Sequence, residues 1–291
     1  MTGKERTALI LFFVLAFAIT WTAQIAGMQM AQSTGIVFSN EDNFWHFIAV
    51  IFNGDVRLPY LVFTLGAGPL LAAVIVLAIF EGHEGLKRLF AQMGIWKLPA
   101  HWYLIILALP IALSLVSLLF GFLSNGMSPL DLDPRLPSVY FLPFLLYMII
   151  FTGLWEEPGW RGFALPRLQK AFNAETSSWI LGVLWGAWHL PVNLYLNWEA
   201  GPVVIIPMVI GLLLGTVGWT IVNTWVYNNT RSLFLMIILH GWTNAVQSYL
   251  VLSSGNMTAM TIFGILPWAL AIYLLKKYGK ENLSPTLRPQ H

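Results

Sequence analysis

The chain has 291 residues, 57% of them apolar and 10% charged, with a mean hydropathy of +0.71; a soluble protein carries about 25% charge, so this is the composition of a polytopic membrane protein. A net charge of +2 is too small to suggest a nucleic-acid partner, and the absence of cysteine excludes disulfides, thiolate catalysis and thiolate metal sites. No polar segment reaches the length of a soluble domain, so residues 1–291 read as a single integral-membrane unit.

Residues 1–7 are short and basic (Lys4, Arg6), and residues 8–27 are apolar. That run exceeds the ~7–15 residues of a signal-peptide core, with no small-x-small cleavage site after it, and reads as the first span. Residues 28–58 are mixed and aromatic-rich, with Glu41, Asp42, Asp55 and Arg57, and suggest an external loop with an interfacial helix. Residues 59–80 form the second span, where Gly66, Gly68 and Pro69 permit close packing or a bend. An amphipathic connection over residues 81–100 (Lys87, Arg88, Lys97) leads to the third span, residues 101–124, and an acidic turn segment, residues 125–137 (Asp131, Asp133, Arg135).

The fourth span, residues 138–155, runs into Glu156 and Glu157, followed by a basic amphipathic tail with Arg167 and Lys170. Spans five to eight follow over residues 177–196, 202–224, 232–252 and 257–275, each near the ~20 residues a bilayer requires. The chain ends with Lys276, Lys277, Lys280 and Arg288. The expected fold is all-α, a bundle of about eight transmembrane helices with its motif-bearing core near residues 138–252. Eight spans place both termini on one side, together with 13 of the 15 Lys and Arg, leaving Arg57 and Arg135 opposite. The positive-inside rule makes that side the cytoplasm, in the cell membrane if the source is prokaryotic. Small-xxx-small pairs at Gly182/Gly186 and Gly211/Gly215 read as helix packing in lipid. No internal repeat, phosphate-binding glycine loop or low-complexity segment is visible.

Paired carboxylates at membrane depth cost about 2.5–3.5 kcal/mol each on insertion scales and default to a functional reading. Arg161 stands four residues after Glu157, on the same helical face. Pro158 lacks a backbone N–H, so a break or kink is expected at the Glu pair, lining a polar chamber. Three more polar residues lie within spans: His189 in the fifth, and His240 with Asn244, one turn apart, in the seventh. At ~1.5 Å per residue, His240 lies about 12 Å from the cytoplasmic edge, with Glu156 in the cytoplasmic half and His189 somewhat deeper. Acceptors in such a set can activate water, and donors can stabilise an oxyanion. No serine or threonine is an evident nucleophile beside a base. The set fits hydrolysis by activated water, with or without a metal.

At these residues the chain resembles the CAAX-protease and bacteriocin-processing family of intramembrane endopeptidases (the Abi, or Rce1-like, family). Its first motif, EExxxR, is here Glu156-Glu157-Pro158-Gly159-Trp160-Arg161. Its second, commonly FxxxH, is here Trp185 to His189, with tryptophan in place of phenylalanine. Its third, HxxxN, is here His240 to Asn244. The three cover about residues 150–250 in the family's order. The Trp185 departure exchanges aromatic for aromatic and touches only pocket shape. The resemblance implies catalysis by Glu156 as general base with His189 helping to activate water, His240 and Asn244 as oxyanion hole, and Glu157 with Arg161 as a supporting ion pair. It implies membrane lipid as surroundings and a prenylated or membrane-bound protein or peptide substrate, cut near its C-terminus; no cofactor is expected, with zinc the one metal left open.

Three alternatives compete. A zinc peptidase would use Glu156, His189 and His240 as ligands, but lacks a two-histidine HExxH helix and leaves Asn244 unexplained. A proton-coupled transporter would show an internal repeat and broken spans in both halves, whereas the sequence suggests one broken site. A catalytically idle scaffold would need no oxyanion pair. For the topology, reporter fusions at Lys276 should give a cytoplasmic signal and fusions within residues 28–58 an external one; a cytoplasmic signal from that loop would overturn the eight-span arrangement.

Overall fold

The computed structural model describes residues 1–32, 34, 36, 38–133 and 136–285, so Arg135 and Arg288, used in the charge count, lie outside the described residues. Among those residues the regular structure is helical, with no strand. Helix α1 is Gly3–Ala31, α2 Asn40–Asn53, α3 Leu58–Thr64, α4 Gly68–Phe80, α5 Gly82–Ala91 and α6 Ala100–Ser124. Then come α7 Ser138–Leu168, α8 Ala174–Trp188, α9 Leu190–Asn197, α10 Pro202–Thr230, α11 Leu233–Leu250 and α12 Met257–Tyr278. Among the described residues, α1, α6, α7, α10, α11 and α12 are the six helices long and apolar enough to cross a membrane unaided. The second and fifth expected spans are broken helices: α3 and α4 meet at residues 65–67, and α8 and α9 meet at His189. Helix α4, at 13 residues, reaches only about 20 Å.

Of the break or kink expected at the Glu pair, no break is present. Helix α7 runs through it, with π-helical turns over Ile149–Leu154 and Pro158–Ala164 on either side of an α-helical turn, Trp155–Glu157. Pro158 itself keeps helical dihedrals (φ −61°, ψ −35°). The wider π turn relieves the clash a proline ring makes with the preceding turn, so the helix re-spaces instead of breaking. Such insertions recur at functional sites.

Without a hydrophobic driving force between helices in lipid, close backbone approach and polar contacts must hold the bundle together. A Cβ built on Gly153 of α7 would lie 2.3 Å from the Ile237 carbonyl oxygen of α11, and one on Gly241 of α11 would lie 2.6 Å from the Ile149 Cα of α7. The two backbones are therefore in contact at both points. A Cβ on Gly159 would meet the Pro69 carbonyl at 2.4 Å, which puts the start of α4 against the π turn of α7. Gly182 and Gly186 seat α8 on Val217, Thr216 and Leu213 of α10, as their spacing suggests. Gly211 of the second pair faces open space, and only Gly215 approaches another helix, at Gly264 of α12.

At one end of the bundle Lys170 pairs with Glu5 at 2.6 Å, Arg167 and Arg88 converge on Glu81, and the Ala174 N–H donates to the Glu281 carbonyl. Burial pushes the Glu81 carboxyl up, but the two guanidiniums outweigh it and hold it below its ordinary value. At the other end the Asp133 N–H donates to the Ser253 carbonyl, and the Phe38 ring meets Tyr195. The N-terminal helix and the segment after α12 thus share one end, as an even number of crossings requires. Arg161 is a correction to the charge count: it is wholly buried in α7 and is not a loop residue.

Gly153→Ala should lower stability by about 1–3 kcal/mol through overpacking, seen as a lower thermal midpoint in detergent. Gly211→Ala, in open space, should be neutral or slightly stabilising. Equal behaviour of the two variants would show that the α7–α11 contact is not tight.

Candidate active site

Consecutive helical residues point about 100° apart, so Glu156 and Glu157 face different neighbours. Glu157 points toward α11, its side chain wholly buried. Its Oε1 accepts from Arg161 Nη1 at 2.9 Å and from His240 Nδ1 at 2.7 Å. The first bond follows from the i,i+4 spacing within α7; the second exists because Gly153 and Gly241 let α11 lie against α7. Ser232 caps the start of α11, accepting from Leu235 N–H at 3.0 Å, and so places His240 two turns into the helix.

Glu156 faces α8. Its Oε2 accepts the indole N–H of Trp185 at 2.8 Å and that of Trp160 at 3.3 Å. Its Oε1 lies 3.9 Å from His240 Nε2. Because His240 Nδ1 meets a carboxylate oxygen that can only accept, Nδ1 carries a hydrogen and Nε2 is the ring atom turned to Glu156. That tautomer is assigned from the hydrogen-bond partners.

His189 sits at the α8–α9 junction, where Pro191 has no N–H to donate back into the last turn of α8. Its Nδ1 lies 2.8 Å from the Trp185 carbonyl, another obligate acceptor, so Nδ1 is the protonated nitrogen and the neutral ring presents a lone pair at Nε2. Helix α1 supports the junction: Trp21 donates its indole N–H to the Trp188 carbonyl at 3.1 Å. Trp188 in turn packs edge-on to Trp160, which is backed by Phe12 of α1. Asn244 is held one turn from the carboxylates. Its Nδ2 donates to Thr152 Oγ1 at 3.2 Å, while the Thr152 hydroxyl donates to the Met148 carbonyl at 2.6 Å. The hydroxyl's single hydrogen being used, Thr152 can only accept from Asn244, which orients the carboxamide and leaves its second N–H free.

The structure therefore brings Glu156, Glu157, Arg161 and His240 into one buried cluster, with His189 joined through Trp185 and Asn244 through Thr152. Among the described residues, no three His, Asp or Glu side chains group closely enough to hold a metal ion, Glu156, His189 and His240 included. Sequence reasoning missed the part played by four residues. Thr152 precedes Glu156 by four residues, on one helical face, and that spacing was a usable signal. Trp160 lies inside the first motif, but nothing in the sequence says that its N–H reaches Glu156. Trp185 does more than shape a pocket, since its N–H holds a carboxylate oxygen. Trp21 had no sequence signal at all.

Residues 138–246, which include all seven defining residues of the three motifs, match the family model described as type II CAAX prenyl endopeptidase Rce1-like. A relative named CAAX prenyl protease 2, from Methanococcus maripaludis, is 29% identical over 149 residues, covering 50% of this chain and 55% of the relative. The chain thus spans about half the length of the curated relative it matches. These matches bear out the resemblance drawn from the motifs.

Removing one member of a buried ion pair strands the other charge, at about 3–5 kcal/mol. Arg161→Ala should therefore lower expression or the thermal midpoint as well as activity, because Glu157 would keep only His240. A fully stable but inactive Arg161→Ala protein would move Arg161 into the chemistry itself.

Proposed function

We propose that the protein is an intramembrane, glutamate-dependent endopeptidase that hydrolyses a peptide bond near the C-terminus of a prenylated or otherwise membrane-bound substrate. The observation that carries this reading is the division of labour between adjacent carboxylates. Glu157 Oε1 is occupied by Arg161 and His240, whereas Glu156 keeps Oε1 free of strong donors and turned toward the His240 ring. A committed carboxylate supports structure; a free one beside it can take a proton.

Glu156 Oε1 removes a proton from water, assisted by the Nε2 lone pair of His189, and the hydroxide attacks the scissile carbonyl. Negative charge developing on the carbonyl oxygen is met by the free Asn244 N–H and by His240 Nε2–H. Since the His240 Nδ1–H is already given to Glu157, donation from Nε2 requires the imidazolium, a cation that two flanking carboxylates suit. The proton on Glu156 then passes to the leaving amine. The chamber opens to the cytoplasm and both termini lie there, the orientation that the basic residues at the shared end of the bundle favour.

The two broken helices remove one sequence argument against a proton-coupled transporter, which also interrupts its spans. The hydrolase reading is favoured over a relay by Asn244, which cannot carry a proton and is oriented by Thr152 so that a donor stays free.

Cleavage of a panel of prenylated and unprenylated C-terminal peptides tests the assignment. Glu156→Gln should be folded and nearly inactive, since proton transfer contributes roughly 10²–10⁴-fold. Asn244→Ala should lose about 10²–10³ in turnover with little change in KM. Full activity of Glu156→Gln would remove the reading. A chelator should leave turnover intact; loss restored by added zinc would reassign Glu156, His189 and His240 as metal ligands.

A further inference from the structure

Trp185 touches more of the site than any other motif residue. Its indole N–H bonds Glu156 Oε2, its carbonyl accepts from His189 Nδ1, and its ring face lies 4.6 Å from the Arg161 guanidinium carbon. His189 and His240 stand edge-on to the same ring, with centroids 5.6 and 5.8 Å away. The family's commoner phenylalanine could supply the stacking and the carbonyl, but it has no N–H. The hydrogen bond to Glu156 is therefore a property of this chain.

We propose that Trp185 is a positioning residue: its indole N–H, with that of Trp160, pins Glu156 Oε2 and leaves Oε1 as the one oxygen that meets the attacking water. The inference rests on the reading of Glu156 as the base. Glutamate has three side-chain torsions, and a lone carboxylate would sample several orientations at this depth. Indole nitrogen donates only, so it can neither take the proton itself nor rotate to compete as an acceptor. Both donors lie on one oxygen, which removes the ambiguity between the two. Hydrogen bonds to an ionised acceptor are short and directional, and the 2.8 Å Trp185 bond has that length, while the 3.3 Å Trp160 bond is weaker. Trp185 is thus the principal anchor. Because substrate is not touched by this bond, its loss should lower kcat and spare KM.

The test replaces Trp185 in the full chain by 3-benzothienylalanine, which keeps the bicyclic shape and exchanges the N–H for sulfur, and separately makes Trp185→Phe. On a peptide cleaved by the wild type, both should lose about 10- to 100-fold in kcat, the range expected for a hydrogen bond to a charged group. KM should stay within about twofold, because nothing that binds peptide changes. A thermal midpoint within a few degrees of wild type would separate this from loss of packing. An isostere with wild-type kcat would overturn the positioning role. Glu156→Gln, run alongside, distinguishes the two failures: if it stays active, the assignment of Glu156 as base is wrong, and if it is inactive while the isostere is fully active, only the role of Trp185 is wrong. The bond can also be read without turnover. The ultraviolet resonance Raman spectrum of wild type minus Trp185→Phe should show a strongly hydrogen-bonded indole N–H, and the same difference taken in a Glu156→Ala background should show a free one. A free indole signature in the wild type would overturn the proposal whatever the kinetics.

Discussion

A buried ion pair in a low-dielectric bundle is the constraint on which the rest of this structure depends. Glu157 and Arg161 have no solvent contact, and an isolated charge in such a place would be neutralised or expelled. Pairing at i,i+4 holds them, yet one carboxylate oxygen and two guanidinium nitrogens remain without a protein partner among the described residues. The pair therefore draws on further support: His240 on the shared oxygen and the Trp185 ring against the guanidinium. Each of these brings another helix to α7. The charge pair is thus the point at which α7, α8 and α11 are registered on one another, and the polar residues that could do chemistry arrive with those helices.

Registration at this precision needs backbones close enough for short polar side chains to meet. Glycine supplies that at Gly153, Gly159 and Gly241, where even a methyl group would collide with a neighbouring main chain. The π turns of α7 serve the same end by another route. An α-helix repeats its faces every 3.6 residues, whereas the extra residue in a π turn rotates the next stretch of helix about its axis. Placing π turns on both sides of Trp155–Glu157 lets Thr152, the Glu pair and Arg161 face their separate partners without breaking the helix.

Composition and span length made the membrane class and the all-helical, polytopic fold legible, because those depend on hydropathy summed over many residues; of the eight expected spans, six are helices long and apolar enough to cross unaided among the described residues. The glycine and proline at residues 66, 68 and 69 signalled the interrupted second span. At Pro158 the sequence allowed a break or a kink, and the helix continues through a widened turn, packed against α4 and α11. His189 at a helix end was equally invisible: Pro191 was in view, but an apolar run continues across it. Of the site, the residues with acid–base chemistry stood out by being polar in an apolar span. Trp160, Trp185 and Trp21 did not, because one of 14 tryptophans in a membrane protein reads as an interfacial anchor. Their role lies in a single N–H each, and which acceptor that hydrogen meets is a matter of tertiary geometry.

The tautomers fixed by that geometry divide the two histidines. Both spend Nδ1–H on an acceptor, which leaves Nε2 as the uncommitted ring nitrogen. The acceptors differ in charge. His189 is bound to a neutral main-chain carbonyl. His240 is bound to a carboxylate already shared with Arg161, and its Nε2 faces a second carboxylate at 3.9 Å. A proton placed on His240 is attracted from both sides. In the proposed mechanism the first ring receives a proton and the second holds one. This asymmetry arises from a main-chain carbonyl freed at a helix end in one case and from the structural ion pair in the other. In the proposed mechanism the same Glu157 that registers the helices also selects the histidine that donates, so altering the supporting ion pair should alter the reacting groups with it.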